Sequence, residues 1–263
     1  MPFTLAHPAA AIPLLRPLGR YGVLSALVIG SMAPDLAFVV GVPATREQTH
    51  SLAGMLLFSL PAGALAYLLF HLLLKAPLCA LLPASYLQRL AQPTNRPTAF
   101  AVAVSLAAGA ATHVLWDAFT HPGTAVTDAF PILSVHLANL GGYQVYVYKV
   151  LQHGGTVAGL ALMGLWLRRW LARTPAARDD FQHAPVPLSL PLPVRVAVGA
   201  ALLALPSAVG LAVAFIQAPS VTDILSAQRF ATAFVFSFLP ALTFTLVAYA
   251  VAWRVLQQRA ASS

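Results

Sequence analysis

Six stretches of this chain run for about twenty residues with almost no charge, and that limits the fold more than any other feature. They are Gly22–Gly41, Leu52–Leu74, Thr98–Thr120, Val147–Leu167, Val194–Ile216 and Phe230–Trp253. About twenty apolar residues make a helix long enough to cross the hydrocarbon core. Inside lipid every backbone polar group must be bonded within its own segment, so such stretches read as helices. Composition agrees: of 263 residues, 59% are hydrophobic and 8% charged, with mean hydropathy +0.78, against about 25% charged in a soluble domain. The expectation is an all-α, polytopic integral membrane helical bundle of six transmembrane helices. A short N-terminal helix, about His7–Leu15, precedes them and is too short to span.

The single cysteine, Cys79, excludes an intramolecular disulfide and a thiolate zinc cage. The net charge of +8 does not indicate nucleic acid, because the basic residues lie between spans and form no patch. They report topology instead. With the N-terminus inside, Arg16, Arg20, Lys75, Arg89, Arg96, Arg168, Arg169, Arg173, Arg178, Arg195, Arg254 and Arg259 are cytoplasmic, leaving only Arg46, Lys149 and Arg229 outside. Both termini are then cytoplasmic. The opening MPFTLAHPAAAIPLL has no basic stretch and no clean cleavage site, so no removable signal peptide is expected. Residues 174–193, with five prolines and Asp179–Asp180, form a Pro-rich cytoplasmic linker. It divides a four-span unit, 1–173, from a C-terminal two-helix hairpin, 194–263, read as packing and anchoring.

Ionisable side chains are costly within a membrane, and of seven acids only Asp35 and Asp117 fall in spans. In THVLWDAFTH, His113 and Asp117 lie one helical turn apart and can share a metal. His121 is about 12 Å along the axis from His113, too far for the same ion, and suits a second shell or second site. The alternative is a His–Asp hydrogen bond that neutralises two polar groups. Asp35 follows Pro34 in GSMAPD. His50 opens the second span, with Ser51 placed to cap its first turn. His153 stands beside Gly154 and Gly155, which permit close helix approach. By topology these residues gather in one leaflet. Imidazole and carboxylate without thiolate suit zinc, manganese or iron. His7 is a further candidate ligand. Helical rises place it about 13 Å above Arg16 and Asp35 about 22 Å above Arg20, so the two meet only if the first helix tilts or begins extended. His71, His136 and His183 carry no such signal, beyond a possible substrate contact for His136.

The opening MPFTLAHPAAAIPL, GSMAPD, THSLAG and THVLWDAFTHPG resemble an uncharacterised family of bacterial integral membrane proteins, itself distantly similar to the YdjM-like membrane-bound metal-dependent hydrolases. His7 matches that group's early His, and Pro34–Asp35 the start of its PDxDH segment. Arg46, Thr49, His50 and Ser51 match within HRxxTHS, and His113, Asp117 and Thr120 within SHxxxDxxT. Ala37, Phe38 and Thr45 replace three of its potential ligands.

The resulting expectation is a metal-dependent hydrolase in the bacterial inner membrane, acting at the outer face on a phosphoester or lipid-linked substrate. His7, Asp35, His50, His113 and Asp117 would hold one or two divalent ions, zinc first, with Asp35 or Asp117 doubling as general base. His121 and His153 are the second-shell or second-metal candidates. The rivals are a proton or metal carrier, a b-type haem held by His113 and His153, and a structural protein with paired Asp and His. The expected partners are the lipid bilayer and a lipid or phosphoester substrate, with no nucleic acid.

Overall fold

The computed structural model describes residues 4–90, 96–175 and 190–262. Most of the expected linker, including Asp179, Asp180 and His183, lies outside them. Among the described residues five helices are long and apolar enough to cross a membrane: Leu52–Ala80, Ala99–Thr120, Val147–Arg173, Leu192–Gln217 and Ile224–Arg259, the last continuing to Ser262. Large apolar side chains such as Leu52, Leu57 and Ile216 face outward, as a lipid-facing surface requires.

The sixth expected span, Gly22–Gly41, is not one helix. It divides into Leu24–Gly30, a 3-10 turn Ala33–Asp35 and Leu36–Val40. Pro34 has no N–H to continue the ladder, and Gly41 ends the segment in the left-handed region at φ 75°. The expected N-terminal helix is likewise a series of short turns from Thr4 to Tyr21. Gly19, at φ 53°, and the extended Val23 then reverse the chain. His7 lies twelve residues before Gly19, and Asp35 twelve after Val23. The two arms therefore run back to the same height, which removes the mismatch computed for a continuous helix.

Ala99–Thr120 is the central helix. Gly30 and Gly109 let it touch Leu24–Gly30 backbone to backbone: a Cβ on Gly109 would sit 2.4 Å from the Leu27 carbonyl, and one on Gly30 equally close to that of Leu106. Small residues permit such contact between membrane helices. Ser105 ties the lower end, accepting from Val23 N–H and donating to the Tyr21 carbonyl. The Leu52–Ala80 helix contains two wide π turns, Met55–Ser59 and Phe70–Leu74, each shortly before a proline, Pro61 or Pro77. Loss of the proline N–H loosens the preceding turn.

An element absent from the all-α expectation is a hairpin between the second and third long helices, His136–Leu140 paired antiparallel with Tyr143–Tyr146. Gly141 and Gly142 both take positive φ at its turn, where a side chain would be strained. The C-terminal pair packs on itself and, through Ile224–Ser262, on the broken segment. Thr243 donates to the Val39 carbonyl, Phe236 meets Phe38 edge to face, and Tyr249 donates to the Pro77 carbonyl.

Candidate metal centre

Four elements deliver the site. Asp35 ends the 3-10 turn at the break, and His7 begins the first helical turn of the N-terminal arm. His50 closes the short helix Arg46–His50, whose start is fixed by a capping box between Thr45 and Gln48. Ser51 accepts from Gly54 N–H and so caps the next helix, as expected. His113 and Asp117 stand one turn apart on the central helix. All five side chains are buried, His113 and Asp117 completely.

Their polar atoms converge. His50 Nε2 lies 3.2 Å from His113 Nε2 and 3.4 Å from both Asp35 Oδ1 and Asp117 Oδ2. His113 Nε2 lies 3.8 Å from Asp35 Oδ1 and 3.7 Å from Asp117 Oδ2. A tetrahedral ion with bonds of about 2.0–2.2 Å sets its ligand atoms roughly 3.3–3.6 Å apart. Five of the six edges of such a tetrahedron are thus close to the required length. His7 stacks on His113 at 3.7 Å between ring centres and brings its Nε2 to 3.7 Å from Asp117 Oδ1. Two overlapping triads can hold an ion: His7, Asp35 and His113, or His50, His113 and Asp117. They share His113, so they describe two faces of one centre.

The surrounding bonds leave those lone pairs open. His113 Nδ1 is 2.7 Å from the Ser31 carbonyl, which can only accept. The proton is therefore on Nδ1 and the lone pair on Nε2, the arrangement usual for a metal-ligating histidine. His50 Nδ1 pairs with the Thr49 hydroxyl, and Thr4 donates to Asp35 Oδ2 at 2.7 Å. Asp35 Oδ1, Asp117 Oδ1 and His7 Nε2 are buried with no hydrogen bond among the described residues. Buried polar atoms are rarely left so. Among the described residues the one cationic side chain in contact is Arg46, whose Nη1 donates to Asp117 Oδ2 at 2.9 Å. Two buried carboxylates against one guanidinium leave a positive charge to be supplied, by a proton or an ion.

His121 and His153 part company. His121 Nδ1–H donates to the Asp117 carbonyl at 3.1 Å, and its Nε2 faces the Gln152 amide at 3.2 Å. Burial takes it down to about 4, against the pull of Asp117, so it is neutral. With both nitrogens engaged it braces Asp117 rather than binding an ion. His153 is exposed and pairs with the Tyr143 hydroxyl at 3.3 Å on the hairpin. It is not in the cluster. Nor does it face His113 across a haem, since both His113 nitrogens point elsewhere.

Sequence reasoning misses several contributions. Arg46 counts as an outer-loop charge and matches within HRxxTHS, but neither reading brings its guanidinium onto Asp117. Thr4, the Ser31 carbonyl and Gln152 gave no signal, because their roles exist only once distant elements meet.

The fold and the cluster together define a multi-span helical membrane protein with a buried histidine–carboxylate centre able to accept a metal ion. The chain belongs to the family described as domain of unknown function (DUF4184), which it matches over residues 1–254. That match takes in the C-terminal pair as well as the cluster. No curated protein and no solved structure matches the sequence.

Proposed function

We propose that this protein is a membrane-embedded, metal-dependent hydrolase of phosphoesters. The observation that carries the reading is the convergence of Asp35 Oδ1 and Asp117 Oδ2 on the His50 and His113 Nε2 atoms at 3.4–3.8 Å, beside Asp35 Oδ1, Asp117 Oδ1 and His7 Nε2 that have no hydrogen bond among the described residues. The donor set suits zinc, with manganese or iron also compatible. His7 covers the remaining face. When bound, a divalent ion supplies Lewis acidity and brings the pKa of water towards about 7.

The chain's own residues do the rest. Asp117 Oδ1, free of donors among the described residues and distinct from the Oδ2 that faces the imidazoles, accepts the proton of the attacking water. The water oxygen joins phosphorus as the ester P–O bond breaks, and the carboxylic acid returns its proton to the leaving oxygen. His121 and Arg46 hold Asp117 in place from either side. The distribution of basic residues supports placing this end of the bundle at the outer face of a bacterial inner membrane. The distant resemblance to YdjM-like hydrolases supports the reaction class.

A proton or metal carrier would need a polar path across both leaflets. Beyond the cluster His71 pairs with Ser25, 3.0 Å apart and part-buried, and among the described residues no hydrogen bond joins it to the centre.

The test is elemental analysis of detergent-purified protein beside a His113→Ala/Asp117→Ala double variant. About one equivalent of zinc, manganese or iron, lost in the variant, supports the reading and justifies a phosphoester screen. No metal, even after attempted reloading, overturns it.

A further inference from the structure

The centre has an apolar side and a cationic side. On the apolar side is a half-open cleft of about 170 Å³, lined by Ala9, Ala10, Trp116, Gly155, Ala158 and Leu162 with His7 among them. Small residues make it. Gly155 faces the Trp116 ring, and Gly159 lies against the Ala6 backbone, so close that a Cβ at either position would collide. The cleft opens between the N-terminal arm and two spanning helices. Its lip residues Ala158 and Leu162 are exposed on the flank of a helix that crosses the membrane. His7 joins cleft to centre: it is buried, its Nε2 has no hydrogen bond, and that atom faces Asp117 Oδ1.

Arg46 takes the second oxygen of the same carboxylate, Asp117 Oδ2, with a single nitrogen. Its side chain is 35% exposed, so further guanidinium donors remain for an anion. Charge selects which anion. Two carboxylates, one guanidinium and a divalent ion leave one positive charge unbalanced, which a phosphodiester with its single negative charge matches.

Resting on the proposed hydrolase reading, we infer that the ligand is a membrane phosphodiester lipid, with the start of its hydrocarbon chain in the His7–Trp116–Ala158 cleft and its phosphate between Arg46 and the centre. The cleft is near the size of an engineered cavity of about 150 Å³ that takes benzene. It therefore holds the first few methylenes, and the rest of the chain extends into the bilayer.

The experiment reads equilibrium binding, not turnover. Full-length metal-loaded protein in detergent is titrated with phosphatidylglycerol carrying a fluorescent chain, with diacylglycerol of the same chains, and with soluble dimethyl phosphate. Ala158→Phe fills the cleft from its exposed lip, and Leu162→Trp does so from a second position if the first misfolds. The expected result is phosphatidylglycerol binding weakened about tenfold or more, the loss from expelling two methylenes, with dimethyl phosphate binding and metal content unchanged. Arg46→Gln should weaken both phosphate probes and leave diacylglycerol alone, and Arg46→Lys should restore part of the loss. Phosphatidylglycerol that binds both lip variants as tightly as the parent overturns the cleft. Equal affinity for phosphatidylglycerol and diacylglycerol overturns the role of Arg46. Lip-sensitive lipid binding by a protein that takes up no metal supports the cleft and overturns the hydrolase reading alone.

Discussion

His113 gives its Nδ1 proton to the carbonyl of Ser31 across 2.7 Å, on a neighbouring segment whose approach depends on Gly109. A Cβ there would lie 2.6 Å from Ser31 N as well as 2.4 Å from the Leu27 carbonyl. Packing between two small-residue surfaces and the orientation of a candidate ligand are therefore one feature. The glycine permits the approach, the approach supplies the acceptor, and the acceptor turns Nε2 to the carboxylates.

Gly109→Val should separate the pair. Overpacking of this kind costs about 1–3 kcal/mol, leaving an inserted and helical protein with His113 free to rotate. Metal content should fall with little change in membrane insertion, measured by elemental analysis beside circular dichroism. Full metal content in a folded Gly109→Val protein would show that the Ser31 carbonyl does not set the ligand.

The two outlying histidines make a contrasting pair. His153→Ala touches only the Tyr143 hydroxyl at the surface and should leave metal affinity unchanged. His121→Phe removes the N–H that holds the Asp117 carbonyl and strands the Gln152 amide. Losing a group that orients a ligand typically costs about 10–100-fold in affinity. Metal titrations of the two variants should differ by that factor, and equal affinities would mean His121 braces nothing.

What could be read in the sequence was what burial makes costly. Asp35, His113 and Asp117 stood out because a charge within a span needs a reason, and they meet in the structure. His7 fitted poorly because Gly22–Gly41 was taken as one rod. The reversal at Gly19–Val23, which brings His7 level with Asp35, is a φ of 53° that composition does not announce. Arg46 was hidden for another reason. A basic residue in a loop between spans ordinarily reports topology, and only the fold shows its guanidinium turned in on Asp117. The hairpin did carry a signal, alternation around Gly141–Gly142, but a search for apolar spans passes over a turn of that length.

Thr4→Val tests a contact that local sequence does not reveal. Thr4 is the donor to Asp35 Oδ2, and valine keeps the shape while deleting the hydroxyl. An unpaired buried acceptor costs about 1–3 kcal/mol, more when charged. The metal-free protein should melt lower. Metal should recover part of the difference, since an ion on Asp35 Oδ1 offsets the same charge. Melts of both forms check this, and an unchanged melting temperature without metal would place Thr4 outside the site's support.

The last prediction concerns pH and runs in opposite directions for the two forms. Burial pulls the His50 imidazole down, but its contacts with the Asp117 and Asp35 carboxylates carry it above its ordinary 6.5 in the metal-free protein. A raised histidine stabilises the folded metal-free chain fully below 6.5, and that contribution is lost as pH rises through the raised value. A metal requires the neutral imidazole, so binding must expel that proton and weakens as pH falls. Below the raised value, affinity should drop about tenfold per pH unit for the one proton displaced. Proton release on metal addition, followed by calorimetry in buffers of different ionisation enthalpy, reads the count directly. His50→Gln should abolish the released proton and flatten the profile. A profile that stays steep in that variant would assign the titration to another group and remove His50 from the centre.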